Sequence, residues 1–291
     1  MLKYINNDNL ACKYLLKRGT KMNKNVGFIG CGNMAQAIIG GIVKSGLIKS
    51  KNIMASNRSC EKLKSAQEKY GILTAKSNDE VAKFSDLLFL SVKPNVYKKV
   101  IEEIRDEIKK DVVIVTIAAG VDIKSVEGWF EKKLPIIRTM PNTSAQVGES
   151  MTAVCVNDVV KDEDLKFTLN IFKSLGKAEI VDEKLMDAVV GVSGSSGAYV
   201  YMFIEALADG AVLSGMTRKM AYEFAAQSVL GAAKMVLETG EHPGVLKDNV
   251  CSPAGTTIDA VYSLEKNNFR GTVIEAVKKC TEKSIEMSKH V

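Results

Sequence analysis

Gly30, Gly32 and Ala35 make a GxGxxA spacing within Gly27–Ala35, where a short apolar run gives way to a helical stretch. That combination handles phosphate. The first glycine permits a tight turn, the second lets a pyrophosphate approach the backbone, and the alanine lets helix and strand pack closely. The free N–H groups and the dipole of the following helix then face the phosphates. About twenty residues beyond such a loop, an NAD site usually places an Asp or Glu on the ribose 2′-hydroxyl. Here that stretch is Ser56-Asn57-Arg58, with no carboxylate. Hydroxyl and amide can donate to a 2′-phosphate and a guanidinium can pair with it, so NADP(H) is the expected cofactor and NAD(H) the alternative. An ordinary tight turn and a solvated arginine are the bland readings of the same residues.

The other reactive groups exclude some chemistries. The two histidines are His242 and His290. His290 is next to last, and His242 precedes Pro243 in a turn-like Gly240–Gly244 stretch, so neither reads as a poised general base. A dehydrogenase that relies on a lysine near the start of a helical domain would need one in Gly191–Tyr199, which has none. A C=N acceptor asks for less. Its carbon is already electrophilic, so a site need only orient the ring and hold any carboxylate. Ser252-Pro253-Ala254-Gly255-Thr256-Thr257 can do this, with Ser252 as an N-cap, Pro253 at the first helical position, N–H groups for an anion and two hydroxyls. Taken alone, the same segment is simply a capped helix. Six cysteines without a CxxC spacing or a histidine cluster predict no metal and no secreted disulfide framework. A reducing cytoplasmic location fits them.

These groups need elements to hold them. Val26–Gly30, Ile53–Ser56, Leu87–Val92, Val112–Ile117, Ile136–Thr139 and Thr152–Val156 are short apolar runs, and helical stretches such as Asn33–Ser45 and Cys60–Tyr70 alternate with them. This predicts an α/β fold, an N-terminal Rossmann-type doubly wound parallel sheet over residues 22–182. Ser91-Val92-Lys93-Pro94 and Ala118-Ala119-Gly120 fall at carboxyl ends of strands, where ligands bind in such sheets. Beyond residue 183 strand signals stop. Ala198–Leu213, Lys219–Leu237, Thr256–Leu264 and Thr272–Ser288 have helical periodicity and predict an all-helical domain over 183–291. No run is long and apolar enough to predict a membrane span. Residues 1–21 carry five of the basic groups against Asp8, a net +4 of the chain's +6. They read as a basic extension, expected to be disordered in the compositional sense of having no core to join, and the near-neutral body predicts no nucleic-acid partner.

With these residues together, the chain resembles the pyrroline-5-carboxylate reductase family from about Met22 to its end. The resemblance rests on Gly27–Ala35, Ser91–Pro94, Ala118–Val121, Arg138–Thr143, Val147–Glu149, Glu205–Gly210, Gly231–Lys234, Cys251–Ile258, Phe269–Gly271 and Val273–Ala276. It implies NAD(P)H-dependent reduction of 1-pyrroline-5-carboxylate to L-proline, the last step of proline biosynthesis. It also implies a helical dimerisation domain, and a homodimer that can build further into a decamer. Phe28, Ile29, Gly30, Cys31, Gly32, Asn33, Ser56, Arg58, Asn78, Ser91, Val92, Lys93, Pro94, Ala118, Ala119 and Asn249 match positions that hold the cofactor. Glu183, Gly255, Thr256 and Thr257 match positions that hold the substrate, Thr257 being the hydroxyl proposed to bond to the ring nitrogen. Two departures stand out. The family usually has Ser-Gly-Pro-Ala-Tyr where this chain has Ser195–Tyr199, so the helix start is expected to be looser. It commonly has Gly at Ala254, so the carboxylate-binding turn is expected to be tighter. A 3-hydroxyacid-type NADP dehydrogenase and a non-catalytic NADP-binding protein are the alternative functions.

Overall fold

The computed structural model describes residues 24–289, so the extension expected over 1–21 lies outside the described residues. The chain divides into two compact units. The first runs to Met186 and includes the residues from Glu286 on; the second is Asp187–Ile285.

The first unit is an eight-stranded sheet: β1 Val26–Ile29, β2 Ile53–Ser56, β3 Leu73–Thr74, β4 Leu87–Leu90, β5 Val113–Thr116, β6 Ile136–Met140, β7 Ser150–Val156 and β8 Gly176–Ile180. Its spatial order is β3-β2-β1-β4-β5-β6-β7-β8. β1 to β6 run parallel, and the order reverses between β1 and β4, the switch point where open α/β sheets bind ligands. The helices that cover the sheet are α1 Asn33–Ser45, α2 Cys60–Tyr70, α3 Asn78–Phe84, α4 Tyr97–Ile104, α5 Ile123–Phe130 and α6 Asp162–Lys173. The sheet departs from a wholly parallel one at its far edge. β7 pairs antiparallel with β6, Arg138 opposite Cys155 and Met140 opposite Ala153. The link over residues 141–149 holds only a 3-10 turn, too short for the crossover that a parallel return needs. α6 then supplies a crossover, so β8 returns parallel to β7.

Every residue of β1, β4 and β5 is buried, as expected of strands covered on both faces. α1 buries Ala35, Ile38, Ile39 and Ile42 at helical spacing. Phe28 of β1 lies opposite Phe89 of β4, and their rings stack with centroids 4.6 Å apart. Phe172 of α6 meets Phe89 edge-on at 6.2 Å. This aromatic set, worth about 0.5–1.5 kcal/mol per pair beyond the area it buries, ties together the two strands that frame the switch point.

The second unit is helical: α7 Ser196–Leu213, α8 Arg218–Thr239, α9 Pro243–Val250, α10 Thr256–Lys266 and α11 Phe269–Ser288, whose last residues join the first unit. A four-residue helix, Met186–Val189, runs into a π-turn at Val190–Gly194 ahead of α7. α9 has no counterpart in the sequence reading, which took Gly240–Gly244 as a turn. The turn and the helix share the segment: His242 is the N-cap, its Nδ1 accepting from Gly244 N at 3.0 Å, and Pro243 is the first helical residue. The one imidazole among the described residues is thus a capping group. The unit's buried apolar cluster consists of Ala208, Ala221 and Ala225, with Ile204, Ala211, Val212 and Met216 packed on it. Tyr201, Met202, Leu213, Phe224, Leu237 and Ile274 are all more than half exposed. Among the described residues, no helix is long and apolar enough to cross a membrane.

Candidate active site

The phosphate loop joins β1 to α1. Gly30 sits at φ +94, and a Cβ there would lie 2.6 Å from Ser91 O, so both the conformation and the close approach require glycine. Gly30 N donates to Ser56 O at 3.0 Å and Ser91 N donates to Ile29 O at 2.8 Å, which fixes the loop against β2 and β4. Gly32 is the N-cap of α1 with no side-chain cap, and a Cβ on it would meet nothing within 4 Å. Open space thus lies over a helix start whose first N–H groups have no partner within the helix. The first turn of α1 carries no acidic residue to repel phosphate. Phe28, Ile29 and Cys31 are buried, backbone and side chain alike. Burial pushes the Cys31 thiol up to about 11, leaving it neutral. Its N–H is already taken, donating to Asn57 Oδ1 at 3.1 Å.

At the end of β2, Ser56 Oγ donates to Asn78 Oδ1 at 2.7 Å and Asn78 Nδ2 donates to Glu103 Oε2 at 3.1 Å. Arg58, two residues after Ser56, is exposed. The structure therefore brings Ser56 and Asn78 into one cluster and adds Glu103, which the sequence does not mark; the Asn57 amide, expected to donate to a 2′-phosphate, instead donates to Ser59 O at 3.2 Å. Glu103 reads in the sequence as one more charge on the outer face of α4, and nothing local marks it.

The ends of β4 and β5 carry the next two expected segments. Val113 N donates to Asp86 O at 3.0 Å, and in a parallel ladder of this register the rungs recur every second residue, which would lead to an Ile117 N–Leu90 O bond. The Tyr97 hydroxyl occupies that place instead, donating to Leu90 O and accepting from Ile117 N at 3.4 Å. Tyr97 is fully buried, and burial lifts its phenol well above the ordinary value, so it stays protonated as a donor. A hydroxyl's width thus separates Leu90 O from Ile117 N, just ahead of Ser91–Pro94 and Ala118-Ala119. Lys93 is exposed, while Ser91, Val92 and Pro94 are partly buried and Ala118 is buried.

Glu183 follows β8. One of its oxygens, Oε1, accepts from Arg138 Nη1 at 2.9 Å and from Ile123 N, the first residue of α5, at 2.9 Å. Arg138 is nearly buried, so this bond satisfies a charge that would otherwise be costly. The neighbouring Cys155 thiol is pushed up to about 12, chiefly by burial and then by the Glu183 charge, with Arg138 opposing. Glu183 is therefore anchored to β6 and α5 through one oxygen.

In the second unit the expected anion turn has a different construction from the one anticipated. Ser252 and Pro253 do not begin the helix. Gly255 N donates to Ser252 O at 3.1 Å, Ala254 takes φ +57, and α10 begins at Thr256 with Gly255 as its N-cap. The left-handed residue reverses the chain two positions after the serine, and the N-cap falls at Gly255 in place of Ser252. A Cβ on Gly255 would fall 2.3 Å from Ser252 Oγ. Asn249 lies exposed on α9, Thr256 is exposed and Thr257 half-buried. The turn therefore presents helix N–H groups together with two threonine hydroxyls.

The comparisons with known proteins agree with both halves. A family model described as NADP oxidoreductase, coenzyme F420-dependent, matches residues 25–120. A model for pyrroline-5-carboxylate reductase dimerisation matches residues 183–287. The pyrroline-5-carboxylate reductase of Escherichia coli is 52% identical over 268 residues, covering 92% of this chain and 100% of that one. The chain belongs to the pyrroline-5-carboxylate reductase family. The Arabidopsis thaliana pyrroline-5-carboxylate reductase is 42% identical, covering 90% of this chain and 95% of its own. A solved reductase structure from Coxiella burnetii superposes with TM-score 0.85 at 34% identity, over 91% of this chain and 99% of that one. The Plasmodium falciparum pyrroline carboxylate reductase, solved with NADP bound, gives TM-score 0.84 at 33% identity over 91% and 98%. As a member of this family the chain is an oxidoreductase with an NADP-binding α/β domain followed by a helical dimerisation domain, and it forms a homodimer.

Proposed function

We propose that this reductase converts 1-pyrroline-5-carboxylate to L-proline, the last step of proline biosynthesis, by adding a hydride from NADPH to the carbon of the ring C=N bond. The observation that carries the reading is the match to the E. coli reductase along that enzyme's whole length. The local chemistry supports it. When bound, the dinucleotide supplies the hydride. The chain's own residues do the rest. In the Gly30–Asn33 loop the N–H groups of Gly32 and Asn33 receive the pyrophosphate, those of Gly30 and Cys31 being held by Ser56 and Asn57, and Ser56, Asn78 and Arg58 receive the adenosine 2′ substituent. Ser91–Pro94 and Ala118-Ala119 line the reacting end, with Asn249 as a further cofactor contact. NADH is the second-choice donor.

The N–H groups at Gly255–Thr257 hold the substrate carboxylate, helped by the positive end of the α10 dipole. The Thr257 hydroxyl bonds to the ring nitrogen, and Thr256 and Glu183 complete the substrate contacts. Fixing the nitrogen decides which carbon faces the donor. As hydride arrives at the carbon, the nitrogen gains the electron pair of the C=N bond and, with one proton, becomes the secondary amine of proline. The working division is residues 22–182 for the dinucleotide and 183–291 for dimerisation and substrate. Further assembly of dimers into a decamer, and a cytoplasmic location for a chain with five unpaired thiols among its described residues, belong to the same reading.

The test is NADPH oxidation with pyrroline-5-carboxylate, run beside piperideine-6-carboxylate and a 3-hydroxyacid with NADP. Turnover with the five-membered imine above the other two is the expected result. Preferred oxidation of the 3-hydroxyacid, or binding of NADPH with no turnover on either imine, would overturn the reading.

A further inference from the structure

Every group expected near the adenosine 2′ position is neutral or positive except one. Glu103 is exposed on α4, yet its Oε2 accepts from Asn78 Nδ2 at 3.1 Å, and Asn78 in turn accepts from Ser56 Oγ at 2.7 Å. No salt bridge neutralises Glu103 among the described residues, although other acids of this unit, such as Glu107 and Asp86, pair with lysines. We propose that Glu103 is a specificity-determining residue, which sets the choice between a 2′-phosphate and a 2′-hydroxyl by fixing the Asn78 amide and holding an unpaired carboxylate beside that position. This rests on the reading that Ser56, Asn78 and Arg58 receive the 2′ substituent.

The argument runs through donors and acceptors. A carboxylate can only accept, so Glu103 draws the Asn78 NH₂ toward itself and turns its Oδ1 toward Ser56. The Ser56 hydrogen is then committed to Asn78, and this nearly buried hydroxyl has only lone pairs left to offer a ligand. Lone pairs accept from a ribose 2′-hydroxyl but not from a phosphate, which has no hydrogen to give when ionised. The carboxylate acts in the same direction. Two hydrogen bonds and one amide group separate it from Ser56, so it lies within roughly 8 Å, inside the screening length at ordinary ionic strength. It repels a phosphate carrying close to two negative charges and leaves a hydroxyl almost unaffected. Arg58 draws the phosphate in and Glu103 opposes it. The balance keeps NADH usable in a site that otherwise has the character of an NADP site.

The experiment titrates the full-length enzyme with NADPH and with NADH in a calorimeter, without imine, and then repeats the comparison in steady-state kinetics. Glu103→Gln keeps an oxygen that can accept from Asn78 but removes the charge. It is expected to raise the ratio of NADPH to NADH affinity by about 3- to 10-fold, the scale of one screened charge against a dianion at this distance. The change should lie in KM for NADPH rather than in kcat. The gain should shrink between about 0.01 M and about 1 M salt, as the screening length falls from about 30 Å to about 3 Å. Glu103→Ala, which also frees the amide to rotate, should raise the ratio at least as far. An unchanged ratio in Glu103→Gln, or a change that salt does not touch, overturns the proposal. Arg58→Ala in the same titrations separates the two claims. If it weakens NADPH while Glu103→Gln changes nothing, Glu103 has no part in selectivity and the cofactor reading stands. If Arg58→Ala leaves both dinucleotides alone, the 2′ site lies elsewhere and this proposal fails with it.

Discussion

Thr257 and Arg58 carry the sharpest expectations of single side chains. Thr257→Ala keeps the N–H groups of α10 and deletes one hydroxyl. The expected result is a fall in kcat/KM for the imine of roughly ten- to a thousandfold, the range from one oriented hydrogen bond to general-acid help. NADPH affinity should hold, and Thr257→Ser should recover much of the rate; unchanged kinetics in Thr257→Ala would move the substrate off this turn. Arg58 is exposed, so its bond to a phosphate would be charge-assisted but partly screened. Arg58→Ala should weaken NADPH by roughly 1–3 kcal/mol in a binding titration and leave NADH nearly unchanged. Cys31 makes a prediction about pH. Its thiol is raised by burial from 9.0 to about 11 in the folded chain. Below pH 9 both folded and unfolded chains hold the proton, so its contribution to stability is complete. As pH rises from 9 toward 11 the unfolded chain ionises first, and stability falls by roughly 1 kcal/mol per pH unit. Urea midpoints across that window should decline less steeply in Cys31→Ala than in the parent; an equal slope in both would show that this thiol does not titrate there.

At the scale of elements, the two expected sites differ in how far the sequence revealed them. The β1–α1 loop was legible because its requirements are local: Gly30 must take φ +94 and clear Ser91 O, and only glycine does both. Six of the eight strands were legible because burial leaves a short apolar run, whereas β3, two residues long, and β8, with only Ala178 buried, leave no such run. The antiparallel turn of β7 was not, since only the shortness of residues 141–149 forbids the crossover and apolar runs carry no direction. α9 was hidden because Pro243 and Gly244 read as a turn when they are also a good first helical turn. Tyr97 and Glu103 act across long sequence separations, so their neighbours in the chain say nothing of Ile117 or Asn78. The turn before α10 was legible in composition and misplaced in register. Its helix starts at Thr256 because Ala254 takes the left-handed conformation, which disfavours a residue with a Cβ by roughly 1–2 kcal/mol. Ala254→Gly removes that strain and adds the flexibility of glycine to the unfolded chain, which costs about 0.4–1 kcal/mol. The net expectation is a gain of up to about 1 kcal/mol in urea unfolding, with KM for the imine unchanged or lower. A clear loss of stability would show that the Ala254 methyl makes contacts that outweigh the strain.

For the whole molecule, the contrast between the two units determines how the chain must live. The first has a continuous core running from Val26 to Ala178. The second buries a cluster of three alanines and, apart from it, Val190, and leaves Tyr201, Met202, Leu213, Phe224, Leu237 and Ile274 largely exposed. Faces of this size rimmed by charge are association surfaces, and this unit is the part that matches a dimerisation model. Much of the burial that stabilises residues 187–285 must therefore come from a second copy, and the stability of the helical unit becomes a property of concentration as well as of sequence. Two expectations follow from mass action. Sedimentation at micromolar concentration should show no 31.6 kDa species, with a dimer at about twice that mass as the smallest particle. The melting temperature should rise with protein concentration, because dilution favours the species that lacks the partner's surface. Phe224→Glu offers the sharper test. Phe224 is 62% exposed on α8, so a carboxylate there costs the lone chain little. Against an apolar partner face the same carboxylate would lose its water without gaining a partner, a penalty of several kcal/mol. The variant is expected to sediment as a smaller species, to melt lower, and to lose imine reduction more than it loses NADPH binding, since the phosphate loop belongs to the other unit. If Phe224→Glu stays fully dimeric with the parent's melting temperature, α8 does not face the second copy at this point, and the burden of covering the helical unit falls on α7 and α11 instead.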